Sequence, residues 1–153
     1  MGDSVIQSRV RRRLIDALYV EAMLLADEAR TYFDDGGRLE RELLEPMARV
    51  AFSCESLKVT TRLMHVIAWL LTQRAVDAGE MPAADALDPS RRLGTPPVTE
   101  AMALAAMPVQ ARSLVAASIE LYRRTALLDA AQTQVVARTS PARSMLERLA
   151  VAF

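Results

Sequence analysis

A single cysteine, Cys54, and a single histidine, His65, are all this chain offers of the residues that most often carry chemistry. One cysteine excludes an internal disulfide framework. Structural zinc needs clustered Cys, His and carboxylates, which one Cys and one His do not supply. Nucleophilic catalysis needs a nucleophile, a base and an orienting group. On one helix Cys54 and His65 lie about 16 Å apart along the axis, too far to meet. They read as a small core residue and a flanking polar one. No Gly-x-Ser-x-Gly elbow surrounds a serine. Glycines number only five, and Gly36-Gly37 follows a helix instead of opening one, so no phosphate-cradling loop is present. Aromatics are 5%, and none interleaves with the basic residues as single-stranded nucleic-acid binders require. Nineteen basic residues balance nineteen acidic ones, which leaves no surplus for neutralising phosphates. The longest strongly apolar run, Val66 to Leu71, is far too short for a bilayer. The basic start resembles a signal peptide only superficially, because Asp16 and Glu21 interrupt the apolar stretch and no cleavage site follows. The expectation is a cytoplasmic protein that is not an enzyme, with no catalytic, cofactor-binding or metal residues.

What is present is helix. Hydrophobic residues make up 52% of the 153, chiefly Ala, Leu, Val and Met. Most of these are good helix formers. Residues 1–138 read as one helical domain and 139–153 as a separate amphipathic segment. Val10, Leu14, Leu18, Leu25, Ala29 and Tyr32 mark one face of a first helix over about Val5 to Phe33. Asp34-Asp35-Gly36-Gly37 ends it. Arg38 to Glu45 is a short helical piece, and Pro46 starts or kinks the next. A second long helix over about Met47 to Ala78 spans roughly 48 Å. Its expected core stripe is Val50, Cys54, Leu57, Met64, Ile67, Leu71 and Ala75. On that reading Leu71→Ala costs about 2–5 kcal/mol. Gly79 and Met81-Pro82 stop the helix. Glu80 to Pro97 is breaker-rich and reads as a long surface loop. Thr99 is the expected N-cap of a short helix to Ala106, and Pro108 opens a third long helix to about Val136, with Val115, Ile119 and Tyr122 among its apolar residues. No window alternates like a strand. The predicted fold is all-α: an antiparallel three-helix bundle, up-down-up, with long helices and a short C-terminal amphipathic segment.

Three groups of residues are candidates for protein contact. Arg9, Arg11, Arg12 and Arg13 form a basic cluster, read either as a solvated face or as a site for an acidic surface. A small DNA-associated regulator using that cluster is the alternative function, disfavoured by zero net charge and by helices longer than a helix-turn-helix uses. Thr61 and Arg62 sit mid-helix beside the apolar stripe, where a helix contact or an oligomer interface would explain them. Met145, Leu146, Leu149 and Phe153 share one face of the last segment, ready for the bundle or for a partner's groove. A three-helix bundle this apolar leaves a strip exposed, which predicts a homodimer.

The stretch ESLKVTTRLMHVIAWLLTQRAVDAGEM, Glu55 to Met81, resembles the signature helix of the alphaproteobacterial RcdA family. LYVEAMLLADEARTYFD (Leu18 to Asp34), SIELYRRTALLD (Ser118 to Asp129) and LERLAVAF (Leu146 to Phe153) extend the resemblance over most of the chain. It implies a dimeric three-helix bundle and an adaptor role: helping to deliver the cell-cycle response regulator CtrA to the ClpXP protease together with other adaptor proteins.

Overall fold

Helix boundaries fall where proline and glycine dictate. A computed structural model describes residues 2–139 and 141–152. Helix α1 runs Gly2–Thr31 and leaves through a π turn, Tyr32–Gly36. After the short α2, Arg38–Glu42, the long α3 covers Pro46–Asp77 with its proline in the first turn, where the missing N–H costs nothing. Gly79 adopts a φ of 76°, and the Glu80 N–H bonds to the Ala75 carbonyl at 2.9 Å, which closes α3. Two 3-10 turns, Asp85–Leu87 and Pro89–Arg91, precede an extended stretch. The short α4, Ala101–Ala105, then leads to α5, Val109–Thr139, and α6, Pro141–Ala152. Thr99 does not cap α4; Glu100 takes that position, and the Thr99 hydroxyl is used elsewhere.

The all-α bundle of three long helices is present, with one change in its path. Arg11 reaches Gln73 and Asp77 at the end of α3, and Arg74 bonds to Asp16 while lying 4.3 Å over the Tyr19 ring. These pairs make α1 antiparallel to α3. Arg124 pairs with Glu21, and Ala111 lies beside Tyr32, so α1 is antiparallel to α5 as well. Between α3 and α5 the numbers rise together, Arg62 with Ser118 and Trp69 with Asp129. The two helices therefore run parallel, which corrects the up-down-up expectation. Parallel neighbours need a connection that travels back along the bundle, and residues 78–108 are that crossover.

The core stripe of α3 is also displaced from its expected position. Phe52, Val59, Leu63, Val66, Trp69 and Leu70 are buried together with Glu55, Arg62 and Gln73. They meet Ile15, Leu18 and Ala22 of α1 and Leu114, Val115 and Leu121 of α5. The expected stripe lies on the other side: Val50, Cys54, Leu57, Met64 and Leu71 are exposed, and Ile67 and Ala75 are half-buried. Val10 and Leu14 of α1 and Ile119 of α5 are also outside. Helix α3 carries two stripes of heptad spacing, and the more uniformly apolar one faces out. Leu71 is 47% exposed, so Leu71→Ala should cost less than about 1 kcal/mol in the monomeric chain. Leu70→Ala, at a fully buried position, should cost about 2–5 kcal/mol. Urea unfolding of both variants at low protein concentration checks the pair.

Candidate protein-interaction site

The inner stripe of α3 carries polar groups because the crossover has to be held there. Arg62 is 1% exposed and donates to the Pro97 carbonyl at 3.2 Å, to the Thr99 hydroxyl at 2.5 Å and to Ser118 Oγ at 3.3 Å. The Thr99 hydroxyl donates in turn to Glu55 Oε2 at 2.7 Å, and Lys58 closes the chain on Glu55 Oε1 at 3.0 Å. Burial pulls the Arg62 guanidinium below its usual range, and the charge of Glu55 opposes that pull.

Two turns further along, the Trp69 indole donates to Asp129 Oδ1 at 2.9 Å, and Arg92 makes a two-pronged pair with the same carboxylate at 2.7 and 2.8 Å. That hydrogen bond holds Arg92 above its ordinary range. Tyr122 donates to the Gly94 carbonyl at 2.5 Å. A Cβ at Gly94 would fall 2.8 Å from His65 Nδ1, so only glycine passes between the two helices here. Residues 92–99, largely within the surface loop expected over Glu80 to Pro97, therefore form a strap bolted to α3 and α5.

His65 abuts this strap, and Cys54 is exposed on the outer face, so the two do not converge. Among the described residues no group of three His, Cys, Asp or Glu is arranged to hold a metal ion, and no helix is long and apolar enough to cross a membrane. His65→Gln should leave partner binding within a few-fold, since the imidazole packs beside backbone and makes no ligand-type contact. Loss of binding by a folded H65Q chain would give the histidine a direct role.

The candidate contact residues are spread over three places. Arg9, Arg12 and Arg13 are exposed on α1 without an ion pair, whereas Arg11 is half-buried and held by Gln73 and Asp77. Thr61 is exposed, its hydroxyl donating back to the Leu57 carbonyl at 3.0 Å. Arg62, one residue away, is internal and binds the strap, so it is not available to a partner. Met145, Leu146 and Leu149 are exposed on α6; Phe153 lies outside the described residues. Helix α6 and the arginines share the Asp77 end of the bundle.

Sequence reasoning missed Glu55, Trp69, Arg92 and Asp129, the residues that fix the strap. Their signal was the spacing of Glu55, Arg62, Trp69 and Gln73, a polar stripe in a helix otherwise rich in apolar residues. The outer stripe is an exposed, mainly apolar face of α3: Val50, Cys54, Leu57, Thr61, Met64, Ala68, Leu71 and Ala75 follow a four-three repeat. Leu57 is 68% and Met64 64% exposed. Beside it a groove of about 350 Å³ runs between α1 and α3, lined by Ala26, Phe33, Leu63, Met64 and Ile67.

Residues 6–153 match the model of a family described as "Protein of unknown function (DUF1465)". Among proteins of curated function none matches. Among solved structures the chain is similar to RcdA from Caulobacter crescentus CB15, at 35% identity and a TM-score of 0.64, over 78% of this chain and 90% of that one.

Proposed function

The chain belongs to the RcdA family, and from that premise we propose that it is a non-enzymatic adaptor. In this reading it acts as a homodimer, binds a cargo response regulator of the CtrA kind together with other adaptor proteins, and promotes delivery of the cargo to the ClpXP protease. The observation that carries the reading is the likeness along nine-tenths of the RcdA chain. The surface supports it. A mainly apolar heptad stripe, an exposed apolar face on α6 and three unpaired arginines are features that partners use and that catalysis does not need.

The test is reconstitution. Adding the purified chain to ClpXP, CtrA and the other adaptors should accelerate loss of CtrA, and an unchanged rate overturns the reading. Deleting residues 140–153 refines it. Met145, Leu146, Leu149 and Val151 are all at least half exposed, so little of the core leaves with α6. The truncated chain should melt within about 3 °C of the parent, a shift worth roughly 1 kcal/mol in a domain of this size. Delivery should weaken, because a partner groove would cover that face. A much larger fall in melting temperature would make α6 part of the core instead.

A further inference from the structure

Helix α1 carries an outward repeat of its own. Ile6, Val10, Arg13, Ala17, Val20 and Leu24 follow a four-three spacing, and all six are exposed. Ile15, Leu18 and Ala22 face the core from the other side of the same turns. The four large apolar members are each more than half exposed. At 1.5 Å per residue the row runs for about 27 Å. Its spacing is that of a helix-pairing seam.

The charges along α1 select what can cover this face. Its first half sets Asp3 against Arg9, Arg11, Arg12 and Arg13, a net charge of +3. Its second half sets Asp16, Glu21, Asp27 and Glu28 against Arg30, a net charge of −3. Neighbouring helices offset part of this, since Asp77 holds Arg11, Arg74 holds Asp16 and Arg124 holds Glu21. Arg9, Arg12 and Arg13 make no ion pair. A covering helix must therefore bring acid to the first half and present an apolar four-three row. Helix α1 of a second copy, laid antiparallel, meets both conditions. Laid parallel, it would set the three arginines against themselves, which association does not tolerate.

Arg13 also fixes the register. With the two-fold axis at the level of Ile15, Ile6 meets the partner's Leu24, Val10 meets the partner's Val20, and Arg13 meets the partner's Ala17. The guanidinium then has the smallest member of the row opposite it and the partner's Asp16 one residue along. Asp16 uses one oxygen on Arg74, at 3.4 Å, and its side chain stays 58% exposed. A shift by one heptad sets Arg13 against the partner's Val10 or the partner's Leu24 and shortens the seam. A charged residue within a seam specifies register and lowers affinity.

We propose that α1 is a second self-association surface, on which two copies pair antiparallel through Ile6 to Leu24 with Arg13 reaching the partner's Asp16. The face lies apart from the outer stripe of α3, so chains already paired elsewhere can join through it into assemblies of four. The inference goes beyond the adaptor reading and does not rest on it.

The test traps the register. In a Cys54→Ser background, chains carrying Val10→Cys are mixed with chains carrying Val20→Cys at hundreds of micromolar and oxidised mildly. The mixture should give a disulfide between positions 10 and 20, and each variant alone should stay unlinked. Two copies of position 10 would lie about 15 Å apart along the axis, and a disulfide needs Cα atoms within about 7 Å. Arg13→Glu in both chains sets a carboxylate beside the partner's Asp16 and should cut the linked yield at least fivefold, with the parent's circular dichroism retained. By light scattering the parent should pass from two chains at tens of micromolar towards four at hundreds, and Arg13→Glu should stop it at two. Absence of the mixed disulfide overturns the proposal. So does equal linkage of each variant alone, or a yield that Arg13→Glu leaves unchanged, since either means random collision. A chain that is single at tens of micromolar yet forms the mixed disulfide loses the homodimer of the adaptor reading and keeps this contact; the converse loses this contact alone.

Discussion

Arg62→Met should lower the unfolding free energy by about 3–5 kcal/mol, because three hydrogen bonds from a buried guanidinium are lost and their acceptors stay inside. Glu55 is 2% exposed and keeps its bonds from Lys58 and Thr99, but it loses the favourable charge of the guanidinium. The Pro97 carbonyl and Ser118 lose their donor in the same step. Whole domains are stable by only about 5–15 kcal/mol, so the variant should stand close to unfolding. The urea midpoint should fall at constant slope if the native state is otherwise unchanged. A cost below about 1 kcal/mol for Arg62→Met would mean that water satisfies the seam and that the strap does not depend on it.

The same seam explains where sequence reasoning succeeded and where it stopped. Helix ends were legible because proline and glycine act through local backbone geometry: Pro46 opens α3 and Gly79 closes it. The helices themselves were legible because long apolar periodicities persist without breakers. Which face of α3 turned inward was not. Counting apolar residues rewards the cleaner stripe, and the cleaner stripe contains Leu57, Met64 and Leu71. The inner stripe holds Glu55, Arg62 and Gln73, which any apolar score penalises although Thr99, Ser118 and Arg11 match most of their polar atoms. Periodicity registers amphipathicity and is blind to whether the apolar face meets the chain's own core or another surface. The family resemblance rests on that same stretch, Glu55 to Met81.

The parallel course of α3 and α5 is written in the length of their connection. Antiparallel neighbours in bundles are joined by about two to eight residues, and the connection from Ala78 to Pro108 far exceeds that. Its extended, proline-bearing portion, Arg92 to Thr99, has the reach to return along α3. Arg92, Gly94, Pro97 and Thr99 are each spoken for by a residue of α3 or α5. Such a pairing joins positions 28 to 44 residues apart, and no local pattern encodes it.

The outer stripe of α3 leads to the second large effect. Leu57→Glu combined with Met64→Glu should convert a homodimer to single chains at tens of micromolar, read as a halved light-scattering mass. Eight positions from Val50 to Ala75 keep the four-three repeat of a coiled-coil seam on a face that the single chain leaves exposed. The stripe is also complementary to itself. Laid antiparallel on a second copy about its midpoint, Leu57 meets the partner's Ala68, Leu71 meets the partner's Cys54, Val50 meets the partner's Ala75, and Met64 meets the partner's Thr61. Each large side chain faces a smaller one, the condition for close packing across a two-fold interface. Two glutamates would bury unpaired charge in that seam, which association does not tolerate. Both positions are well over half exposed in the single chain, so the stability of the dissociated form should change by no more than about 0.5 kcal/mol each. Cys54 reports the direction of pairing: an antiparallel seam keeps the two thiols apart, and mild oxidation leaves the chains unlinked. A parallel seam sets Cys54 against the partner's Cys54, and a disulfide-linked dimer would form. A double variant that retains the parent's mass would move the interface away from α3 and leave the stripe to a different partner.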